Sequence, residues 1–235
     1  MIRQMTLAAC VALGLAGPAT AFDCHMAIVF ALDASRSVDA TESRIQREGL
    51  ADALRDPVIQ SYILPYPGSG IAAMAFEWAN PEDQLTIAPW AILDSPEAIA
   101  GFATRLEVAP TIPRRLKTGI GAALRFAGAA HRAAPVSCRR QVVDMSGDGP
   151  GNAGVLPRTI RRKGELDGLT INGLVIRHPN LDSAQPPDRD PLAYYNRHII
   201  QGPGAFVMDI AVFDDYPAAI RRKLLRELSP SLAQR

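Results

Sequence analysis

The chain has 235 residues, long enough for one large or two small domains, and carries 25 basic against 24 acidic side chains. A balance that even excludes general nucleic-acid binding, which needs a basic footprint. Beyond the N-terminus no stretch reaches about 18 uninterrupted apolar residues, so no membrane span is expected.

The first 21 residues read as a secretory signal peptide. Arg3 supplies the positive start, Met5 to Leu15 is almost wholly apolar, and Ala19-Thr20-Ala21 is a small-x-small cleavage signal. Residues 22–235 then form a single domain, exported to the periplasm or secreted, and the loss of Arg3 brings its net charge to zero. Leu7-Ala8-Ala9-Cys10 has the form of a lipobox, but too little chain precedes Leu7 to hold the hydrophobic segment a lipoprotein needs. The clusters Arg114-Arg115-Lys117, Arg161-Arg162-Lys163 and Arg221-Arg222-Lys223 read as solvated helix faces.

In the run Met26 to Leu32 every residue is apolar, and it ends abruptly in Asp33, with Ser35 and Ser37 at alternate positions. Such a run reads as a strand buried on both faces. Asp33, Ser35 and Ser37 are hard oxygen donors of the kind that Mg²⁺, Mn²⁺ or Ca²⁺ prefer. Asp39 with Glu42 three residues on is a capping box opening a helix from about Ala40 to Arg55. Asp56-Pro57 breaks it, and 58–64 continues as a short second piece. Strands follow at 71–78 and 84–92, the latter carrying Pro89, which suits an edge.

Ser95-Pro96 opens a helix to about Leu106. Thr118 begins another, with Gly119, Ala122, Ala123, Phe126 and Ala130 along it and small residues to bring it close to the sheet. A strand at 141–146 is broken by the glycine-rich 147–152. A helix near 155–166, a strand at 170–177, a polar insert at 178–188, a helix at 191–200, a strand at 205–212 and a helix at 217–228 complete the count. Strands alternate with helices throughout, so the expected fold is α/β. It is a doubly wound, mostly parallel six-stranded sheet with helices on both faces and one antiparallel edge strand.

Cys24 precedes Asp33, and Cys138 precedes Asp148, by nearly the same number of residues. If the two strands are parallel neighbours, both cysteines lie at the same depth, about 4.8 Å apart, within disulfide reach. Export supplies the oxidising compartment. The alternative is two free thiols.

Asp33-x-Ser35-x-Ser37, then Thr118, then Asp148 resembles the metal-ion-dependent adhesion site (MIDAS) of von Willebrand factor type A (VWA) domains. The resemblance extends over the mature chain. Ser146 to Gly151, Tyr194-Tyr195 and Gly202 to Phe206 also look like an exported bacterial branch of unassigned function. The resemblance implies a divalent cation, Mg²⁺ first and Mn²⁺ or Ca²⁺ as alternatives. Ser35 and Ser37 would bind it directly, Thr118 directly or through water, and Asp33 and Asp148 mostly through water. An Asp or Glu of a protein partner would fill the open position, which makes a binding device rather than an enzyme. Each of the five residues also has a local reading as a turn or cap residue.

Trp78, Trp90 and the Tyr194-Tyr195 pair read first as packing residues; Glu77 and Trp78, ending the strand beside the first, and His178, at the sheet's top edge or an incidental loop histidine, are the candidates for partner contact. Asp144 is either a buried acid near the ion or a structural partner of an arginine or a backbone group. Two other functions compete. A Mg²⁺-dependent phosphatase-like hydrolase would suit a strand-end aspartate, but the acid such enzymes carry two residues on is here Ser35. An envelope assembly protein with a degenerate metal site is the other.

Overall fold

The computed structural model describes residues 22–112, 116–177 and 189–229. In chain order the elements are β1 (Asp23–Asp33), α1 (Ala40–Arg55), α2 (Pro57–Ile63), β2 (Ser69–Trp78), β3 (Gln84–Leu93), α3 (Pro96–Val108) and α4 (Ile120–Arg132). They continue with β4 (Gln141–Gly147), α5 (Pro157–Arg162), β5 (Thr170–Ile176), α6 (Pro191–His198), β6 (Val207–Ile210) and α7 (Tyr216–Leu228). The six strands form one sheet in the order β3-β2-β1-β4-β5-β6. All neighbours are parallel except β2 and β3. The antiparallel edge strand is the one that carries Pro89, and its ladder with β2 is irregular between Ala73 and Phe76.

Alternate residues of β1 enter two different cores, so the strand is apolar at every position from Met26 to Leu32. Ile28, Phe30 and Leu32 meet Leu50, Leu54, Phe102 and Ile220 on one side. Val29 and Ala31 meet Phe76, Trp78, Leu124 and Tyr195 on the other. Asp33 has the parity of the second face. The Asp39–Glu42 capping box opens α1: Asp39 accepts from Thr41 N and Glu42 N, and Glu42 accepts from Asp39 N.

Several expectations are corrected. The buried stripe of α4 is Ile120, Ala123, Leu124, Ala127 and His131, while Ala122, Phe126 and Ala130 are half-buried. The buried residues recur at i, i+3, i+4 and i+7, on the side opposite Arg125, Ala129 and Arg132. Its glycines do not serve the sheet: a Cβ at Gly121 would stand 1.8 Å from Val155 O, and one at Gly128 2.5 Å from Glu165 O. α5 is a six-residue helix followed by turns at Gly164 and Gly168, both with positive φ. β6 is cut to four residues.

The Arg221-Arg222-Lys223 cluster is not wholly a solvated face. Lys223 is fully buried, with Nζ 2.6 Å from Asp144 Oδ2 and 2.7 Å from Glu227 Oε1. Asp144 is therefore the structural partner of a lysine, on the α7 side of the sheet. Cys24 and Cys138 are disulfide-bonded and pack against Ala27 and Ala72. His178 lies outside the described residues, as does the stretch read as a signal peptide. No helix among the described residues is long and apolar enough to cross a membrane.

Candidate metal centre

The strand order reverses between β1 and β4, and in open α/β sheets ligands bind outside the carboxyl ends of the strands at such a point. β1 ends there in Asp33, and Asp148 is the first residue after β4. Asp33, Ser35 and Asp148 are buried, at 1%, 0% and 4% exposure, while Ser37 is exposed. The turn after β1 is tied internally: Ser35 N donates to Asp33 Oδ1 at 2.7 Å, and the Ser35 and Ser37 hydroxyls stand 3.4 Å apart. Ser37 Oγ then donates to Asp148 Oδ1 at 2.8 Å across 111 positions of sequence. Four of the five expected residues are thus joined in one hydrogen-bonded group.

Thr118 attaches to this group through the loop after Asp148. Asn152 Oδ1 accepts from Thr118 N at 2.9 Å, and Asn152 Nδ2 stands 3.4 Å from Thr118 Oγ1. Thr118 lies ahead of α4 and is not its cap, since Gly119 holds the cap position with no side-chain bond. Its hydroxyl is not spent on capping. Asn152 is the residue that sequence reading missed; its place in a glycine-rich loop gave only a turn signal.

The supports are built from β2 and α1. Gln46 Nε2 donates to the Asp33 carbonyl at 2.9 Å, and Ala34 N donates to the Trp78 carbonyl at 2.9 Å. Glu77 accepts from Ser43 Oγ at 2.9 Å and from Ile112 N at 3.0 Å, with Arg47 Nε 3.6 Å away. Glu77 and Trp78, at 1% and 0% exposure, cannot meet a partner. Both point into the fold because helices cover both faces of β2, and Glu77 instead joins α1 to the segment leading to Thr118. The surface next to the site is a groove of about 580 Å³ lined by Asn80, Glu82, exposed Leu116, Lys117 and Asn152.

Burial first, and then the charge of Asp148, push the Asp33 carboxyl up to about 8; hydrogen bonds from Ser35 and from the Asp148 backbone pull the other way. Asp33 Oδ2 is buried with no hydrogen-bond partner. A divalent cation beside the two acids would offset both causes, and an oxygen-only donor set suits a hard cation. Among the described residues no cluster of three or more His, Cys, Asp or Glu could hold a metal; beside these two acids a cation would need the serine and threonine hydroxyls as further donors. The residues fit the group. Tyr195, fully buried, lies against this site with its hydroxyl unpartnered. Burial, and then the charges of Asp33 and Asp148, raise its phenol well above the ordinary value.

A family model described as "Protein of unknown function (DUF1194)" matches residues 23–232. No curated protein matches the chain in sequence. In structure it is similar to proximal thread matrix protein 1 from the mussel byssus "with zinc occupied MIDAS motif", at 14% identity and TM-score 0.59, covering 88% of this chain and 48% of that one. It is similar also to von Willebrand factor type A from Catenulispora acidiphila, at 14% identity and TM-score 0.56, covering 86% and 42%. An aerotolerance-related membrane protein from Bacteroides fragilis is 16% identical with TM-score 0.51, covering 86% and 99%. The chain spans about half the length of the mussel protein. Its fold is that of a VWA domain.

Proposed function

This chain belongs to the DUF1194 family, and from the site it carries we propose that it is an exported, divalent-cation-dependent protein-binding domain. Ser35 and Ser37 would hold the cation with their hydroxyls, Thr118 directly or through water, and Asp33 and Asp148 mostly through water. When bound, the ion supplies a Lewis-acidic position for one carboxylate of a partner's Asp or Glu. Mg²⁺ is the proposed resident on the strength of the MIDAS resemblance; the hard oxygen donors suit Mn²⁺ and Ca²⁺ as well.

One observation carries this reading: two acids at the carboxyl ends of neighbouring strands are buried beside serine hydroxyls, and Asp33 Oδ2 has no hydrogen-bond partner. Buried polar atoms are nearly always satisfied. The Cys24–Cys138 bond supports export, and the groove of Asn80, Leu116 and Lys117 is the adjoining partner surface. Binding is favoured over phosphoryl transfer because the position two residues after Asp33 is Ser35.

Thermal unfolding with and without Mg²⁺ or Mn²⁺ tests the proposal. A ligand at a hundredfold excess over its dissociation constant adds about 2.7 kcal/mol. We expect a raised melting temperature in the wild type and none in Asp33→Ala. Divalent ions that leave the wild type unmoved would overturn the reading, and Mg²⁺-dependent phosphatase activity would favour the hydrolase.

A further inference from the structure

Two glycines on different strands make room for one phenol. A Cβ at Gly147 on β4 would stand 2.4 Å from the Tyr195 hydroxyl oxygen and 3.0 Å from Asp33 Oδ2. A Cβ at Gly173 on β5 would stand 2.8 Å from Tyr195 Cδ1. Tyr195 comes from α6, has no exposed surface, and its hydroxyl has no hydrogen-bond partner. Phenylalanine would fill the same volume without an unsatisfied polar atom. The hydroxyl and Asp33 Oδ2, likewise unpartnered, both reach the small space above Gly147.

We propose that Tyr195 is a positioning residue of the cation site, its O–H donating to Asp33 Oδ2 directly or through one water once the cation is bound. This rests on the function proposed above. Asp33 Oδ1 already accepts from Ser35 N. A second donor on Oδ2 fixes the carboxylate plane and leaves its outward lone pairs for the ion or the ion's waters. Outer partners of this kind orient the ligands of many metal sites. Tyr194, the preceding residue, reaches the far side of the same loop: a Cβ at Gly151 would stand 2.8 Å from its hydroxyl oxygen. α6 thus braces the Asp148 loop from both ends.

The test is Tyr195→Phe in the full mature chain, with Mn²⁺ and Mg²⁺ affinity measured by calorimetry and metal-free stability by urea unfolding. Loss of an outer partner costs roughly ten- to a hundredfold in metal affinity, and we expect a loss in that range. The metal-free stability should be unchanged or higher, because a buried unsatisfied hydroxyl is gone. A structural tyrosine would move both readouts down together, which overturns the proposal. Equal affinity in variant and wild type overturns it while leaving the metal reading intact; a wild type that binds neither ion overturns both.

Discussion

At the scale of single residues, two pairs of acids buried among the described residues are treated differently. At the carboxyl end of β1 Asp33 sits beside Asp148 with its Oδ2 unsatisfied, whereas beneath α7 Lys223 holds Asp144 and Glu227 together. Removing the lysine would leave two buried acids facing each other. Lys223→Met should therefore destabilise the protein by about 3–5 kcal/mol, the range for breaking a buried ion pair, read as the urea midpoint. Glu227 is raised from 4.5 to about 7, by burial first and then by the charge of Asp144. A carboxyl raised in the folded state gives stability that is present below pH 4.5 and lost as the pH climbs through about 7. Glu227→Gln should flatten that fall. His131, lowered from 6.5 to about 4 by burial, acts with the opposite sign, losing stability as pH drops, and cancels when variant and wild type are compared at each pH.

At the scale of elements, helices set the loops of the site by close backbone contact. α4 meets the loop after β4 at Gly121, where a Cβ would fall 1.8 Å from a carbonyl. Neither atom is the end of a flexible side chain, so Gly121→Ala must displace either helix or loop. The loop includes Asn152, which holds Thr118. Gly121→Ala should weaken Mg²⁺ binding and lower stability together, by about 1–3 kcal/mol as for an overpacked core position, measured by calorimetry and urea unfolding. The Asp39 cap is a useful contrast. Asp39→Ala should cost about 1 kcal/mol and leave metal affinity nearly as it was, because the box closes on Thr41 and Glu42, away from Asp33.

At the scale of the molecule, the disulfide and the proposed cation site occupy opposite ends of β1 and β4. Cys24 and Cys138 are 114 positions apart, and a loop of that length constrains the unfolded chain by up to about 4–5 kcal/mol in the chain-entropy model. Replacing both cysteines by serine should lower stability toward that amount. Metal affinity, if the sheet stays folded, should change little, since the bond touches neither Asp33 nor Asp148. An equal loss of metal affinity would show that the two ends are coupled.

How much of this could be read from the sequence divides by range. The capping box at Asp39, the break at Asp56-Pro57, the apolar run of β1, the Pro89 edge strand and the five oxygen-bearing positions were all legible, because each is written in neighbouring residues or in a spaced motif. Even the Cys24–Cys138 pairing follows from position along parallel strands. The burial of Glu77 and Lys223, the bond by which Asn152 holds Thr118, and the unpartnered state of the buried Tyr195 hydroxyl were not legible. Those depend on which helix covers which face of the sheet. A glutamate at a strand end is written the same way whether it meets water or, as Glu77 does, a serine, an arginine and a backbone amide from two other elements. Local chemistry determined the elements and which oxygen-bearing residues end them; only packing across the sheet decided what each buried polar group would face.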